Sequence, residues 1–383
     1  KPYRIRIKSK MDHVLGLGSL FVIGISGFGA EMFRIALGTA QGDDMVTEEP
    51  PTLTLMHDGV VTAAAWNADE TQIMTAAEDN LLRLWDAETG DLLTEYDLGA
   101  PVRGARYSPD YSHILAWTDG GGVVYINLAD ETISEPLPLT DDAPITGASW
   151  RSDGEAVLIW NDTTVSAPLL DAPGWAESPF TLNHNAPVLM AAFNTDETHI
   201  QTFSEIGFVR RWQVESGEIV TEIPFGPEAL GAVWAEDEQT FVVWALRGFA
   251  QIVDADTREA LNTLLHRTFV NGARFNADET QVMTWAADAT VKLWETISGA
   301  ELAVLTHNDW VKGAFWNADE TRVLSWAFDS VWLWDAATGE LLVRLPHANV
   351  VNGAAFNTDE SQILTWGWDG AANVWDAAAV MGG

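Results

Sequence analysis

The sequence predicts an all-β protein in which eight similar units close into one ring. An aromatic residue followed by a short acidic turn recurs at steps of 40 to 43 residues, as in Trp66-Asn67-Ala68-Asp69-Glu70-Thr71. A period of this length is typical of a small unit that stacks on copies of itself to bury its apolar face. Residues 51–383 show no sustained helical apolar period. The eight aromatic positions are Trp66, Tyr107, Trp150, Phe193, Trp234, Phe275, Trp316 and Phe356.

Each unit is predicted to be a four-stranded antiparallel meander. In the seventh unit, apolar residues alternate over 311–315 and return over 323–326 after an acidic turn. A bend at Asp329 leads to a third strand over 331–334, and a second turn leads to a fourth strand over 341–345.

The last unit indicates how the ring closes. It stops after Trp375-Asp376 and lacks a fourth strand, whereas residues 53–57 match residues 303–307, the fourth strand of the sixth unit. We therefore expect this N-terminal strand to complete the eighth unit, which removes the free sheet edges that promote aggregation.

The third strands often end in tryptophan and an acidic residue: Leu84-Trp85-Asp86, Leu293-Trp294-Glu295, Leu333-Trp334-Asp335 and Val374-Trp375-Asp376. In these motifs, their spacing and their turns, residues 51–383 resemble the WD-repeat β-propeller family. The resemblance implies an eight-bladed β-propeller, with seven blades as the alternative if the third unit is not a true blade.

The same resemblance implies a hydrogen-bonded tetrad inside each blade, formed by His, Ser or Thr, Asp and Trp. The matching sets are His57, Thr75, Asp79, Trp85; His266, Thr284, Asp288, Trp294; His307, Ser325, Asp329, Trp334; and His347, Thr365, Asp369, Trp375. Units two to five depart from this pattern, with Gly120, Ile206 and Arg247 near the Asp position and Ile126 and Val253 at the Trp position. Pro168 falls where the third strand of unit three should run, which indicates a degraded or edge strand.

Composition and charge narrow the functional classes. The 383 residues contain no cysteine, which excludes disulfides, thiolate metal sites and cysteine nucleophiles. Residues 1–34 hold six basic and two acidic residues, a net charge of +4, and the remaining chain holds 14 basic and 54 acidic residues, a net charge of −40. We therefore expect no nucleic-acid partner, because the phosphate backbone would be repelled.

The amino-terminal region predicts a membrane anchor. Residues 1–12 are read as a basic cytoplasmic terminus, 13–37 as one transmembrane helix, 38–50 as a linker and 51–383 as the propeller. The 17 uncharged residues 14–30 would span roughly 25 Å as a helix, and Arg34 could snorkel to extend it. The positive-inside rule then places the propeller on the extracytoplasmic (periplasmic or outer) face of a bacterial-type membrane. A cleaved signal peptide and a soluble docking helix are the alternatives.

The same helix resembles a segment of the cytochrome-b-like membrane subunits of the nitrate-reductase-gamma and heterodisulfide-reductase types. The resemblance rests on Asp12-His13, Gly24-Ile25-Ser26-Gly27 and residues 31–35. Such subunits use several helices to enclose a haem and this chain offers one, so His13 is interpreted as a solvated residue and no cofactor is expected.

No constellation of residues predicts catalysis or a metal centre. The Asp-Glu pairs at 69/70, 196/197, 278/279, 319/320 and 359/360 are separated by whole repeats and are interpreted as turn-closing residues, with weak Ca²⁺ binding as the alternative. The repeated histidines at 57, 184, 266, 307 and 347 are interpreted as structural. The sequence has no Ser-His-Asp order, phosphate loop or HExxH motif, so we predict that the protein is not an enzyme.

Two sets of aromatic residues have different interpretations. The tryptophans at 117, 160, 244, 285, 326 and 366 share a second-strand position and should pack in the core, with a ligand cage as the alternative. Trp310, Phe328 and Trp368 fall in loops on the face that carries the tetrad ends, where exposed aromatics indicate an interface. Lys312, Asn352, Asn271 and Arg103 should line the central opening there and supply polar contacts.

These observations predict a non-catalytic protein-interaction scaffold. We expect a membrane-anchored accessory subunit of a larger membrane complex, of a redox or energy-converting kind, with integral-membrane protein subunits as partners. The alternative is a membrane-tethered extracytoplasmic sensor whose central channel binds a small ligand or cation.

Overall fold

The computed structural model describes residues 49–137, 144–168 and 181–381 in full, together with the backbone of four short strands, Asp12–Leu15, Phe21–Gly24, Leu170–Asp171 and Gly174–Trp175. In this part of the chain, eight antiparallel sheets of four strands each follow one another, and we call them blades 1 to 8. The first strands of neighbouring blades contact each other and so lie nearest the central axis. The eight-bladed all-β prediction is confirmed.

The strand bounds repeat with little change in the first four blades. Blade 1 contains Val61–Trp66, Gln72–Ala77, Leu81–Asp86 and Leu92–Asp97. Blade 2 contains Val102–Tyr107, His113–Thr118, Val123–Asn127 and Thr132–Ile133. Blade 3 contains Ile145–Trp150, Val157–Asn161, Thr164–Ser166 and Thr181–Asn183. Blade 4 contains Val188–Phe193, His199–Ser204, Phe208–Gln213 and Ile219–Pro224.

The other four blades complete the ring. Blade 5 contains Ala229–Trp234, Thr240–Ala245, Phe249–Asp254 and Ala260–Leu265. Blade 6 contains Val270–Phe275, Gln281–Ala286, Thr290–Glu295 and Glu301–Thr306. Blade 7 contains Gly313–Trp316, Arg322–Trp326, Ser330–Asp335 and Leu341–Pro346. Blade 8 contains Val351–Phe356, Gln362–Gly367, Ala371–Asp376 and, from the other end of the chain, Leu53–Met56.

The N-terminal strand closes the ring as predicted. Leu53 pairs with Val374 and Met56 with Ala371 in antiparallel register. A short helix, Ala377–Val380, follows the last strand and is capped by Asp376. Because the first and last strands of the propeller pair in one sheet, unfolding of blade 8 would open the whole ring.

Blade 3 is irregular but is a true blade, so the seven-blade alternative is wrong. Its third and fourth strands have three residues each, and Pro168 lies just beyond the third strand. The small pair Leu170–Asp171 and Gly174–Trp175 is inserted before the fourth strand. The proline thus ends the third strand early, since its nitrogen has no proton to donate to a neighbouring strand.

A turn with its own hydrogen bonds joins the first and second strands of each regular blade. In blade 1, Asn67 Oδ1 accepts from the Gln72 amide at 3.0 Å, and Asp69 Oδ1 accepts from the Thr71 hydroxyl at 2.7 Å. Glu70 between them has a φ of 59°. The Asn and Asp side chains therefore close the turn, as interpreted from the sequence.

The second-strand tryptophans pack against glycines of the first strand. A Cβ atom added at Gly272 would lie 2.1 Å from Cζ2 of Trp285. All six tryptophans are 4% exposed or less, so they belong to the core and cannot form a ligand cage. The six pairs are Gly104–Trp117, Gly147–Trp160, Gly231–Trp244, Gly272–Trp285, Gly313–Trp326 and Gly353–Trp366.

The structure describes only a few of the residues for which the sequence predicted a membrane anchor. Strands Asp12–Leu15 and Phe21–Gly24 pair antiparallel, where the sequence predicted the start of a helix. Val14, Val22 and Ile23 are β-branched residues, which favour strands. The described residues do not include the rest of the predicted helix at 13–37 or most of the cytochrome-like segment. They also do not include residues 1–11 and 38–48. Among the described residues, no helix is long and apolar enough to cross a membrane.

Candidate protein-binding face

The meander places two kinds of loop on one side of the ring. These are the turns between second and third strands and the links from each blade to the next, and we call this side the top face. The bottom face carries the turns between first and second strands and between third and fourth strands. The predicted tetrads and the exposed aromatics all belong to the top face.

Three blades contain the complete tetrad. In blade 1, His57 Nε2 lies 2.7 Å from Thr75 Oγ1, His57 Nδ1 lies 2.9 Å from Asp79 Oδ2, and the Trp85 indole donates to Thr75 Oγ1 at 2.7 Å. Because the threonine hydroxyl accepts from tryptophan, its own proton goes to histidine Nε2. The histidine therefore carries its proton on Nδ1 and donates it to the aspartate. The other two complete sets are His266, Thr284, Asp288, Trp294 and His347, Thr365, Asp369, Trp375.

Burial favours the neutral form of His57 in the blade 1 tetrad. The pKa of His57 is lowered, mainly by its removal from water, although the Asp79 charge opposes the shift. In the described part of the chain, no three His, Asp or Glu side chains are placed to hold a metal ion. The repeated histidines therefore act within single blades.

Blade 7 departs from its predicted tetrad. His307 Nε2 lies 2.7 Å from Ser325 Oγ, and the Trp334 indole donates to the same oxygen at 2.9 Å. Asp329, however, does not bond to His307, whose Nδ1 instead lies 3.2 Å from the Leu305 carbonyl oxygen. The prediction of Asp329 as a tetrad member is wrong.

Two residues of blade 7 explain why Asp329 is displaced. The Trp332 ring lies 5.1 Å from the His307 ring and stacks on Trp334. Arg344 lies over Trp332 at 5.2 Å and donates to Asp329 at 3.1 Å. The carboxylate thus turns toward Arg344 and the surface, and burial alone lowers the pKa of His307 to about 3.

Blade 4 uses arginine in place of the tetrad aspartate. Arg210 Nη1 lies 2.9 Å from His184 Nδ1, and the Trp212 indole donates to Thr202 Oγ1 at 2.9 Å. Burial and the Arg210 charge together lower the pKa of His184 to about 4. The sequence showed Ile206 near the aspartate position but gave no sign that Arg210, on the third strand, would reach the histidine.

The predicted interface aromatics are exposed on the top face. Trp310, Phe328 and Trp368 are 41%, 47% and 40% exposed. Trp310 packs edge-on against Phe269 at 5.4 Å. Leu246, in the equivalent turn of blade 5, is 41% exposed. We call these five residues the apolar arc, which extends over blades 5 to 8.

Backbone hydrogen bonds hold the arc and define equivalent positions in the other blades. The Trp368 amide donates to the Val350 carbonyl at 2.7 Å, and the Leu246 amide donates to the Glu228 carbonyl at 2.8 Å. The same bond in blades 1, 2 and 4 is donated by Glu78, Asp119 and Glu205. At this one position the top face therefore carries an acidic residue on blades 1, 2 and 4 and an apolar residue on blades 5, 6 and 8, where Leu246, Ala287 and Trp368 donate the bond.

The predicted channel residues mostly connect neighbouring blades. Asn271 Nδ2 donates to the Val311 carbonyl at 2.7 Å, and Asn352 Nδ2 donates to the Val61 carbonyl at 2.9 Å. Asn352 is only 3% exposed, so it cannot make the partner contact that we predicted for it. Its Oδ1 instead accepts from the Trp368 indole at 2.9 Å, which makes it a support for the apolar arc.

The two basic channel residues differ in their partners. Arg103 bonds to Asp119 at 2.8 and 2.9 Å and also to Glu78, so it joins blades 1 and 2. Lys312 is half-buried, with its Nζ 5.6 Å from the centroid of the Trp368 ring. Burial lowers the pKa of Lys312 to about 8.

The bottom face contains an inter-blade contact that sequence reasoning missed. Glu320 of blade 7 accepts from the Ala277 amide at 2.6 Å and from Asn276 Nδ2 at 2.8 Å, both in blade 6. Glu360 binds Ala318 and Asn317 in the same way, and Glu70 binds Thr358 and Asn357 across the closure. The repeated Glu of the Asp-Glu pairs thus links neighbouring blades. Its recurrence directly after Asp in the repeat was the sequence feature from which this role could have been predicted.

Comparisons with known proteins agree with this architecture. The family model described as WD domain, G-beta repeat, matches residues 50–86. Actin-interacting protein 1 of Drosophila melanogaster is 34% identical over 83 residues, which is 21% of this chain and 13% of that protein. Eukaryotic translation initiation factor 3 subunit I of Phaeosphaeria nodorum is 33% identical over 63 residues, 16% of this chain and 19% of that protein. The chain thus matches less than a fifth of either relative's length.

Two solved structures extend the likeness in fold to nearly the whole chain. The computationally designed Ika8 protein has a TM-score of 0.73 at 20% identity and covers 86% of this chain and 100% of its own. Sqt1 of Saccharomyces cerevisiae has a TM-score of 0.73 at 12% identity and covers 87% and 100%. The chain is therefore an eight-bladed β-propeller that carries a WD40 repeat.

Proposed function

We propose that this protein is a non-catalytic scaffold that binds another protein through the apolar arc. The observation that carries the proposal is the exposure of Trp310, Phe328 and Trp368 in loops of two neighbouring blades, 7 and 8, on the top face. Similarity to WD40 proteins supports an interaction role of this general kind.

The arc has the properties of a binding surface because its side chains are both exposed and held. Large aromatic side chains contribute most to protein interfaces when they enter a pocket of the partner in a fixed conformation. Trp368 is fixed by Asn352 and by its own backbone bond to Val350, and Trp310 is fixed against Phe269. Little conformational entropy would then be lost on binding.

Quantitative mass spectrometry of proteins that co-purify with the full chain tests the proposal. The double variant Trp310→Ala, Trp368→Ala should lose a stoichiometric partner that the wild-type protein retains. Ile297→Ala is the matched control, because Ile297 is 88% exposed on the bottom face. A partner retained by the double variant, or lost equally with Ile297→Ala, would remove the arc as the binding surface.

The finer proposal is an accessory subunit of a membrane complex, with integral-membrane partners and the propeller on the extracytoplasmic side. Its support is the sequence of residues 1–37, which joins a basic segment to an uncharged stretch. Alkaline extraction of native membranes tests it: the full chain should stay with the lipid, and a chain beginning at residue 38 should be released. Release of both would end the anchoring proposal and leave the scaffold proposal standing.

A further inference from the structure

Lys312 places one cation inside the apolar arc. It precedes Gly313 in blade 7, at the position that Asn271 and Asn352 occupy in blades 6 and 8. The two asparagines donate to carbonyl groups of the next blade. The Lys312 ammonium instead lies 5.6 Å from the centroid of the Trp368 ring, two residues along the chain from Trp310.

Among the described residues, the Lys312 ammonium has no carboxylate within ion-pair distance, in contrast to other basic residues of the propeller. Arg103 binds Asp119 and Glu78, and Lys292 binds Glu301 at 2.6 Å. In the described part of the molecule Lys312 forms no salt bridge, although Asp309 is near enough to favour its charge. A half-buried ammonium loses hydration, which an incoming anion would replace with a direct ion pair.

The residues around the Lys312 ammonium determine which kind of anion can bind there. The exposed Trp368 ring lies beside the ammonium, and Phe328 is exposed in a top-face turn of the same blade as Lys312, so the anion must arrive with apolar neighbours. Asp309 near Lys312, together with Glu78, Asp119 and Glu205 on blades 1, 2 and 4, repels additional negative charge. The site therefore discriminates against a generally acidic ligand while accepting one carboxylate in an otherwise apolar segment.

A subsite at Lys312 would be part of the binding surface already proposed, and it rests on that proposed function. We propose that Lys312, Trp310, Phe328 and Trp368 form a subsite for one carboxylate flanked by apolar side chains on a partner protein. The carboxylate pairs with the Lys312 ammonium, and the flanking side chains pack on the aromatic rings. An acidic side chain and a C-terminal carboxylate share this chemistry.

Selection of short random peptides with free C-termini against the full chain provides the probe. Each selected peptide is synthesised in its original form, with its acidic side chain changed to the matching amide, and with its C-terminus amidated. Dissociation constants are measured for wild-type protein, Lys312→Met and Lys312→Arg. Loss of affinity in the second or third form identifies which carboxylate is bound.

The expected result is a double-mutant cycle with strong coupling. Removing the peptide's carboxylate should weaken binding to wild-type protein about tenfold or more, with little effect on binding to Lys312→Met. Lys312→Arg should retain most of the affinity. Equal losses with wild-type protein and Lys312→Met would overturn the subsite. Melting temperatures verify folding, and Lys312→Gln replaces the Met variant if that variant does not fold.

Peptide affinities of variants at Trp310 and Trp368 distinguish failure of the subsite from failure of the proposed function. Peptides that need Trp310 and Trp368 but are indifferent to Lys312 would contradict the subsite and leave the scaffold proposal intact. Peptides that are indifferent to all three residues, or no selected peptides at all, would contradict both.

Discussion

The Lys312 ammonium lies 5.6 Å from the centroid of the Trp368 ring, and the Nε1–H of that ring donates to Asn352 Oδ1 at 2.9 Å. Asn352 in turn donates to the Val61 carbonyl of blade 1. Trp368 is thus held between two blades and, through Asn352, is linked to a third. An exposed ring in this arrangement keeps its orientation before any partner arrives.

The substitution Asn352→Ala should lower both stability and partner affinity. It removes a buried bond to Val61 and the acceptor for Trp368, which should cost about 1–3 kcal/mol of unfolding free energy. Asn271→Ala is the matched control, because it removes the equivalent bond to Val311 but supports no exposed aromatic. Urea unfolding and peptide affinity would be compared for both variants. Equal effects of the two on affinity would show that Asn352 does not position Trp368.

A methyl group at Gly272 should destabilise blade 6. Its Cβ would lie 2.1 Å from Trp285 Cζ2, so the buried ring must move, at about 1–3 kcal/mol. Gly120→Ala is the control, because its nearest neighbour would be 3.9 Å away. In a Trp285→Ala background, the cost of Gly272→Ala should nearly vanish. Thermal or urea unfolding of wild-type protein, the two single variants at 272 and 285 and their double variant would show additive losses of stability if the pair does not interact.

The Gly–Trp pairs show which part of the core could be predicted from the sequence. The repeated tryptophans were predictable as core residues from their fixed place in a strand. Their partners were not, because pairing register across two strands decides which residue lies beneath the ring. Blades 1 and 4 support this reading, since Ala63 faces Ala76 and Met190 faces Phe203 where the tryptophan is absent.

The inter-blade role of Glu320 predicts a measurable stability loss. Glu320→Gln weakens the acceptors for the Ala277 amide and Asn276, which should cost about 1 kcal/mol. Glu131→Gln is the control, because Glu131 has a similar positive φ and no inter-blade bond among the described residues. Chemical unfolding should show a loss only for the first variant; an equal loss for both would assign the effect to the turn backbone.

Stability should decrease as the pH falls below about 6.5. The folded pKa values of His184 and His307 are lowered to about 4 and about 3, from 6.5 in the unfolded chain. The unfolded state therefore binds protons first, and stability present at neutral pH is lost between pH 6.5 and these folded values. Turn aspartates such as Asp110, with a pKa of about 2, add losses only below their usual 3.8.

Urea midpoints from about pH 7 to about pH 4.5 test this window. His307→Gln should show a shallower pH dependence than wild-type protein, because it removes one of the neutral buried histidines. A pH dependence identical in both proteins would mean that His307 does not remain neutral in the fold.

The tetrads divide in a similar way between what was predictable and what was not. The strand-end tryptophans and repeated histidines predicted three complete networks from local spacing. Blade 7 has the same four residue types at the same spacing. There, however, Trp332 packs on His307 and Arg344 binds Asp329, so the histidine and the aspartate do not bond to each other. Such competition depends on side chains one strand away, and a linear motif does not contain it.

Site-specific photocrosslinking in the native host most directly tests whether the apolar arc is the partner-binding surface. A photoreactive phenylalanine analogue would replace Phe328 in one protein and Ile297, on the bottom face, in another. The account predicts a discrete crosslinked product from position 328 and none from position 297. A product from position 297 with none from position 328 would contradict the assignment of the top face.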